Sequence, residues 1–278
     1  MKQFSSVTKL KDWIKKKAAE SGAEPALMMR YYMMERFLER ISVSNYRENL
    51  VLKGGFLISS LVGTDLRMTM DMDATIKGLQ VNREIIKKIV NELIAIDIGD
   101  GITFEILRIK AIRPDSEYDD FEFSLRAWFH KMRADIRIDF TVGDLVLPSE
   151  IEYNYQLMFE ERSVPVLVYN LYTILAEKLD AILVLNVDST RLRDYYDVYL
   201  LVNLYRENIN QKKFQEIFLT KMKRRGHERY FEKYNQLLTD INNSDQMRVR
   251  WASYQTDYSY ANKISFDNII PVIHWLLK

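Results

Sequence analysis

The 278-residue chain has no cysteine, so neither a disulfide framework nor a cysteine-ligated metal is open to it. Histidine is scarce as well: His130, His227 and His274 stand 97 and 47 residues apart, and none has a second histidine four positions away on a helix face. That spacing argues against histidine–zinc chemistry and leaves carboxylates as the metal ligands the chain can offer. Long hydrophobic runs are missing too. The longest uncharged stretch, residues 163–176, has fourteen residues, includes Pro165 and Asn170, and is too short to cross a bilayer. The N-terminus, MKQFSSVTKLKDW, meets charge before the apolar core of a secretory signal can form, so a cytoplasmic protein without membrane spans is expected. Nine glycines and five prolines leave no linker-like segment, and no internal repeat is visible. Nor is there an excess of one charge: 40 Lys and Arg oppose 39 Asp and Glu, so the sum of +1 gives no sign of a basic nucleic-acid binder.

What is present is a large apolar content, 47%, enough for one large domain or two closely joined ones. Behind the cap candidates Ser5 and Ser6, the residues Val7, Leu10, Trp13, Ile14 and Ala18 recur at helical spacing up to Ser21-Gly22. Pro25 opens a second helix with Leu27, Tyr31, Met34, Phe37, Leu38 and Ile41 as its apolar stripe. Leu50-Val51-Leu52 reads as a strand stopped by Gly54-Gly55, with a two-turn helix following to Val62. Residues 66–76, LRMTMDMDATI, alternate: Arg67, Thr69, Asp71 and Asp73 share one parity, and Met68, Met70, Met72 and Ala74 the other. A period of two places the acids on one strand face and the methionines on its reverse. Residues 81–95 predict a helix, and 102–112, 121–129 and 134–142 predict strands of a small mixed or antiparallel sheet, joined by turns such as Arg113-Pro114-Asp115. Beyond Pro148 helical periodicity dominates in 171–185, 191–204, 212–224 and 266–277. The expected division is therefore 1–148, N-terminal helices plus an α/β core, and 149–278, a helical lobe.

The chemistry gathers around Gly54-Gly55, Asp71-x-Asp73 and Asp139 of IRIDF. Two carboxylates on alternate strand positions point the same way, and a third from an adjacent strand completes an oxygen cage suited to Mg²⁺, which keeps waters and substrate phosphate oxygens as its other ligands. The glycines let backbone N–H groups at the start of the next helix approach a phosphate. Asp135 and Asp144 remain alternatives to Asp139. Such a site serves phosphoryl or nucleotidyl transfer.

The run LVLKGGFLISSLVGTDLRMTMDMDATI resembles the signature of the nucleotidyltransferases of the AbiEii/AbiGii toxin family, LKGG followed by R-x-[ST]-x-D-x-D. LAEKLDAIL and RLRDYYDVYLL are similar to that family's second pair of motifs, and MMRYYMMERFLERIS and IPVIHWLL fit its outline. The resemblance implies a polymerase-β-like nucleotidyltransferase core with N-terminal helices and a helical C-terminal lobe, the active site lying between the two parts. It implies Asp71 and Asp73 as catalytic residues binding Mg²⁺ and a nucleoside triphosphate, Thr69 as a phosphate contact, and Lys178 and Asp194 as the other essential positions. The wider superfamily often has Gly-Ser where this chain has Gly54-Gly55, so the hydroxyl contact falls to Thr69 or to backbone amides.

Read without the family, Lys178 suits the charge developing on a leaving pyrophosphate, and Asp194 can hold that lysine or orient and deprotonate an attacking hydroxyl. Ordinary surface pairs such as Arg193 with Asp197 are the plainer alternative. Five lysines between Lys9 and Lys17, and the cluster Lys221, Lys223, Arg224, Arg225 and Arg229, are candidate tracks for an RNA backbone or else solvated helix faces. The acidic stretch Asp115, Glu117, Asp119, Asp120 and Glu122 reads as a solvated hairpin end. The function expected is NMP transfer from an NTP to an acceptor, with tRNA foremost, by the growth-arresting toxin of an abortive-infection system paired with a cognate antitoxin. The alternatives are a protein or small-molecule acceptor, or a nucleotide-binding module without turnover.

Overall fold

The computed structural model describes residues 6–112 and 120–278; the Arg113-Pro114-Asp115 turn and the acids Asp115, Glu117 and Asp119 lie outside the described residues, as does Ser5. Residue contacts divide the chain into two compact units, Met1–Asp144 with Glu150–Tyr169, and Leu145–Ser149 with Asn170–Lys278.

The first unit opens with α1 (Val7–Ser21), whose Ser6 hydroxyl accepts from Lys9 N and whose end is turned by Gly22 at φ +66°. Leu10, Ile14 and Ala18 form its buried stripe, and the helix packs on α2 (Pro25–Ser42). β1 (Leu50–Lys53) leads directly into α3 (Gly54–Val62), then come β2 (Asp71–Ile76) and α4 (Arg83–Ala95), capped by Asn82. The strands β3 (Ile102–Ile112), β4 (Asp120–Phe129) and β5 (Met132–Val142) follow, and β6 (Ile151–Gln156) and β7 (Ser163–Val168) return as a hairpin. All seven join one sheet in the order β3-β4-β5-β2-β1-β7-β6. The β2–β5 and β1–β7 pairs are parallel and the others antiparallel, which makes the sheet mixed.

Residues 150–169, expected in the helical lobe, group instead with the first unit, where 151–156 and 163–168 are strands of the sheet. Pro165 is tolerated because β1 pairs only with Leu167 and Val168, so at Pro165 the strand has β6 alone as a neighbour. Residues 66–70, expected as strand, form a turn instead, because Leu66 N and Arg67 N bond back to Gly63 O; the strand begins only at Asp71. Asp120 and Glu122 stand on β4 rather than in a loop, with Asp120 buried and accepting from Val142 N.

One face of the central strands is apolar and closed: Met72, Ala74, Phe123, Leu125, Ile138 and Phe140 are all buried, with α2 packed against β5 and β7. α2 also buries a charged lattice. Arg40 forks onto Asp100 at 2.8 and 3.0 Å, Arg36 bridges Glu39 and Glu160 at 2.8 and 2.7 Å, and Arg162 of the β6–β7 hairpin closes onto Glu39 at 2.7 Å. Burial pushes the Glu35 carboxyl up to about 8, while Met158 N donates to its Oε1.

The second unit is helical: α5 (Leu171–Leu185), α6 (Leu192–Tyr205), α7 (Gln211–Arg225), α8 (Glu228–Glu232), α9 (Tyr234–Asn243), α10 (Asp245–Asp257) and α11 (Ile269–Leu277). Leu179, Leu183, Leu201, Phe214, Phe218 and Ile273 are buried in its core. Asn170 caps α5 by accepting from Thr173 N and ties down the preceding segment by donating to the carbonyls of Leu147 and Ser149. Among the described residues no helix is long and apolar enough to cross a membrane.

Candidate active site

The sheet face opposite the apolar one carries the acids. Register places Asp73 directly beside Asp139 on β5 and opposite Lys53 on β1, and places Asp139 beside Glu122 on β4. Neighbouring residues in a ladder share a face, so Asp73, Asp139 and Glu122 form a row across three strands. Asp71, two positions before Asp73, is opposite Arg137, whose Nε lies 3.6 Å from Asp71 Oδ1. Of the three acids of β5 and its exit, Asp135 is taken up by Arg126 at 2.7 Å, and Asp144 by Lys53, Thr141 and Tyr169. Only Asp139 meets Asp73, so the register separates it from its two competitors.

The glycine turn lies against this row. Gly54 has φ +65°, a conformation costly for any side chain, and a Cβ there would stand 2.0 Å from Asp73 Oδ2. A Cβ on Gly55 would stand 2.9 Å from Thr69 Oγ1 and 2.7 Å from an Arg67 terminal nitrogen. A side chain on Gly55 would thus run into the Thr69 hydroxyl, which stands beside the turn. Arg67 and Thr69 reach it from the irregular segment before β2, where both are buried. The first N–H groups of α3 have no partner within the helix, and the N-cap residue Lys53 offers them no side-chain cap.

The charge of the row falls on Asp139, whereas Glu122 is paired with Arg108 at 2.8 Å and Asp71 faces Arg137. Burial, followed by the charges of Asp73, Asp71 and Glu122, pushes Asp139 up to about 7, against the opposing pull of Arg137. Asp71 Oδ1 and Asp139 Oδ1 are buried and accept no hydrogen bond. Among the described residues no three His, Cys, Asp or Glu side chains are grouped to hold a metal ion by themselves; Asp71 faces Arg137 rather than closing a cage with Asp73 and Asp139. Mg²⁺ needs only one or two protein carboxylates when substrate phosphates and waters supply the rest, and hard oxygens without hydrogen bonds beside a glycine turn fit that requirement.

Lys53 is a residue that sequence reading did not single out. Its Nζ holds Asp144, and burial is outweighed there by Lys53 and the hydroxyls of Thr141 and Tyr169, which keep the Asp144 carboxyl well below the ordinary range. Glu122 was likewise read only as loop charge, and Arg137 not at all. The alternation in 134–142 was the available signal for Arg137, since it shares the parity of Asp139.

In the second unit, Lys178 of α5 and Asp194 of α6 meet at 2.7 Å, and the same Nζ reaches Asp197 at 2.7 Å. Arg191 adds a further bond to Asp194 at 2.7 Å. Asp197 and Asp194 are buried, so the Arg193–Asp197 surface pair is not the arrangement adopted; Arg193 instead donates to the Tyr258 hydroxyl. The basic clusters differ from each other. Lys9, Lys11, Lys15 and Lys16 are exposed, with Lys16 near Glu20. Lys221 is buried and donates to Leu145 O, and Arg225 is drawn onto Asp180, so part of the second cluster is spent on internal bonds.

A glycine turn before a helix, acids aligned on adjacent strands of a mixed sheet and a lysine–aspartate pair on helices define a nucleotidyltransferase. The chain belongs to the AbiEii family: the profile described as nucleotidyl transferase AbiEii toxin, type IV toxin–antitoxin system, matches residues 36–271. Nucleoside triphosphates are the substrates of that enzyme class. Among curated proteins no sequence matches. Two solved structures share the fold. A candidate nucleotidyltransferase from H. pylori aligns with TM-score 0.51 and 15% identity over 90% of this chain and 92% of its own. JHP933 from Helicobacter pylori aligns with TM-score 0.52 and 16% identity over 92% and 91%.

Proposed function

We propose that the protein is the toxin of an abortive-infection pair acting in the cytoplasm, and that it transfers an NMP from an NTP to a hydroxyl of tRNA, using Mg²⁺ held by one or two of the carboxylates Asp71, Asp73 and Asp139 together with phosphate oxygens and water. The observation that carries this reading is the Asp73–Asp139 neighbourhood beneath Gly54-Gly55, with the buried oxygens of Asp71 and Asp139 that accept no hydrogen bond beside it. When bound, the metal would supply compensation for the negative charge of the triphosphate and of the acids.

Gly54, Gly55 and Thr69 bind phosphate through N–H groups and a hydroxyl. The acceptor oxygen attacks the α-phosphorus, the bond from that phosphorus to the α–β bridging oxygen breaks, and pyrophosphate leaves. Asp139, beside Asp73 in the row, is the carboxylate assigned to take the hydroxyl proton. Lys178 is assigned the neutralisation of the leaving pyrophosphate, with Asp194 orienting it. A cognate antitoxin is the functional partner.

Incubation with each α-labelled NTP, Mg²⁺ and total tRNA is expected to label RNA with at least one nucleotide. Label confined to protein or small hydroxyl compounds would move the acceptor, and no label with any of the four would end the transfer reading. Induced expression of wild type and Asp71→Ala tests the link to growth: equal arrest by both would detach toxicity from the site.

A further inference from the structure

The helical unit contains an open cleft of about 460 Å³ where the start of α6 meets α10, lined by Arg191, Arg193, Asp194, Arg250, Tyr254 and Tyr258 among others. Its cations are unusually placed. The Arg193 guanidinium lies 4.9 Å from the Tyr258 ring centre and donates to that hydroxyl at 2.7 Å. Arg250 donates to the carbonyls of Val187 and Ser189 at 2.6 and 3.0 Å. Neither has a carboxylate partner among the described residues, whereas the third, Arg191, is 61% exposed and tethered only to Asp194. Asp194 is shared with Lys178, so of the acids that line the cleft only the exposed Asp257 is uncommitted. The tyrosines form a cluster of tilted rings: Tyr254 and Tyr258 have ring centres 4.8 Å apart at 40°, and Tyr258 and Tyr260 5.5 Å at 31°.

Guanidinium planes and tyrosine faces side by side, with charge to spare for one phosphate, are the chemistry that holds an unpaired nucleotide. The cleft has no glycine turn and no pair of unpartnered carboxylates, so it lacks what a metal-bound triphosphate requires. Its wall includes Asp194, one of the positions assigned to the reaction. We propose that this cleft receives an unpaired nucleotide of the RNA acceptor, the base layered on Tyr258 and Arg193 and the phosphate lying between Arg191 and Arg250. The proposal rests on the reading that the acceptor is RNA and names the surface of the helical unit that grips it.

The test is equilibrium binding of the full-length protein to a fluorescein-labelled ten-nucleotide oligoribonucleotide of mixed sequence, by anisotropy, without NTP or Mg²⁺. Arg193→Gln and Tyr258→Leu are each expected to weaken binding about fivefold or more, the loss of one stacked or charged contact. Arg193→Gln, which loses a base contact and keeps both phosphate contacts, should leave the log–log salt slope unchanged. Tyr258→Phe, which keeps the ring, is expected to bind within about twofold of wild type, and Arg193→Gln carries the test if Tyr258→Leu fails to fold. Affinity for NTP is expected to stay unchanged in all of them.

No oligonucleotide binding by wild type, unchanged binding by both Arg193→Gln and Tyr258→Leu, or equal loss in Tyr258→Phe and Tyr258→Leu would overturn the proposal. So would displacement of the oligonucleotide by free NTP at concentrations that merely saturate the NTP site, because the cleft would then hold mononucleotides. Label transfer is scored separately. RNA labelled by wild type, with the variants binding RNA normally, refutes the cleft and leaves the acceptor standing. Weakened RNA binding in the variants, with no RNA labelled by wild type, does the reverse.

Discussion

Replacing Asp139 by asparagine should make the metal-free protein more stable at pH 8 while abolishing transfer. Asp139 stands in a row with Asp73 and Glu122, and burial together with those charges and Asp71 lifts it from 3.8 to about 7. A lift of that size corresponds to about 4 kcal/mol by linkage for a fully enclosed group. The carboxylate is only partly enclosed, so screening by water reduces the figure to about 1–2 kcal/mol. The sign follows from the direction of the shift. A raised folded-state value means that the folded protein holds the proton more tightly than the unfolded chain. Wild type therefore loses stability as pH climbs from about 4 through 7, and the loss is constant above that. An asparagine side chain cannot ionise and escapes it. The variant should melt with wild type near pH 4.5 and about 2–8 °C above it at pH 8, using a few degrees per kcal/mol for a chain of this size. Calorimetric melts in EDTA across that range measure the gap. Millimolar Mg²⁺ should then raise wild type more than the variant. A gap that is independent of pH, or a variant less stable at pH 8, would show that the acids on this face do not repel one another.

Two other substitutions probe the turn and the helical pair. Gly54→Ala drives a Cβ to 2.0 Å from Asp73 Oδ2 at φ +65°, so transfer should fall at least a hundredfold with about 1–3 kcal/mol of stability; Gly22→Ala, at φ +66° with no atom within 4 Å, should cost about 1 kcal/mol and leave kcat alone. Lys178→Met strands the buried carboxylates of Asp194 and Asp197, which should cost about 3–5 kcal/mol in urea unfolding, and adding Asp197→Asn should recover part of that without restoring transfer.

The local alternation of 71–76 and the helical stripes of α1, α2 and α5 are readable in the chain because each is a short-range pattern imposed by one buried face. The choice among Asp135, Asp139 and Asp144 is not. It depends on the register of β5 against β2, set by pairing more than sixty residues apart, and a slip of one residue would turn Asp135 and Asp139 to the other face. The hairpin β6–β7 was hidden because β6, at the sheet's edge, reads IEYNYQ and β7 contains Pro165. The helices α8 to α10 were hidden because Leu238, Ile241, Met247, Trp251 and Tyr254 are their few buried side chains in a polar stretch. The charges of α2 look like a solvent face until Asp100, Glu160 and Arg162 arrive from distant positions to enclose them. Thr69 was drawn on a strand, yet it reaches Gly55 because the chain turns at Gly63 before the strand starts.

The strand that ends in the glycine turn has one neighbour early and the other late. β2 pairs with β1 from residues made shortly afterwards, but Val51 and Leu52 wait for Leu167 and Val168, over a hundred positions further on. During synthesis β1 is an open edge for all of that interval, with Asp71, Asp73 and Asp139 already made. The last strand of the sheet to leave the ribosome is thus the one that closes the open side of the strand carrying the glycine turn.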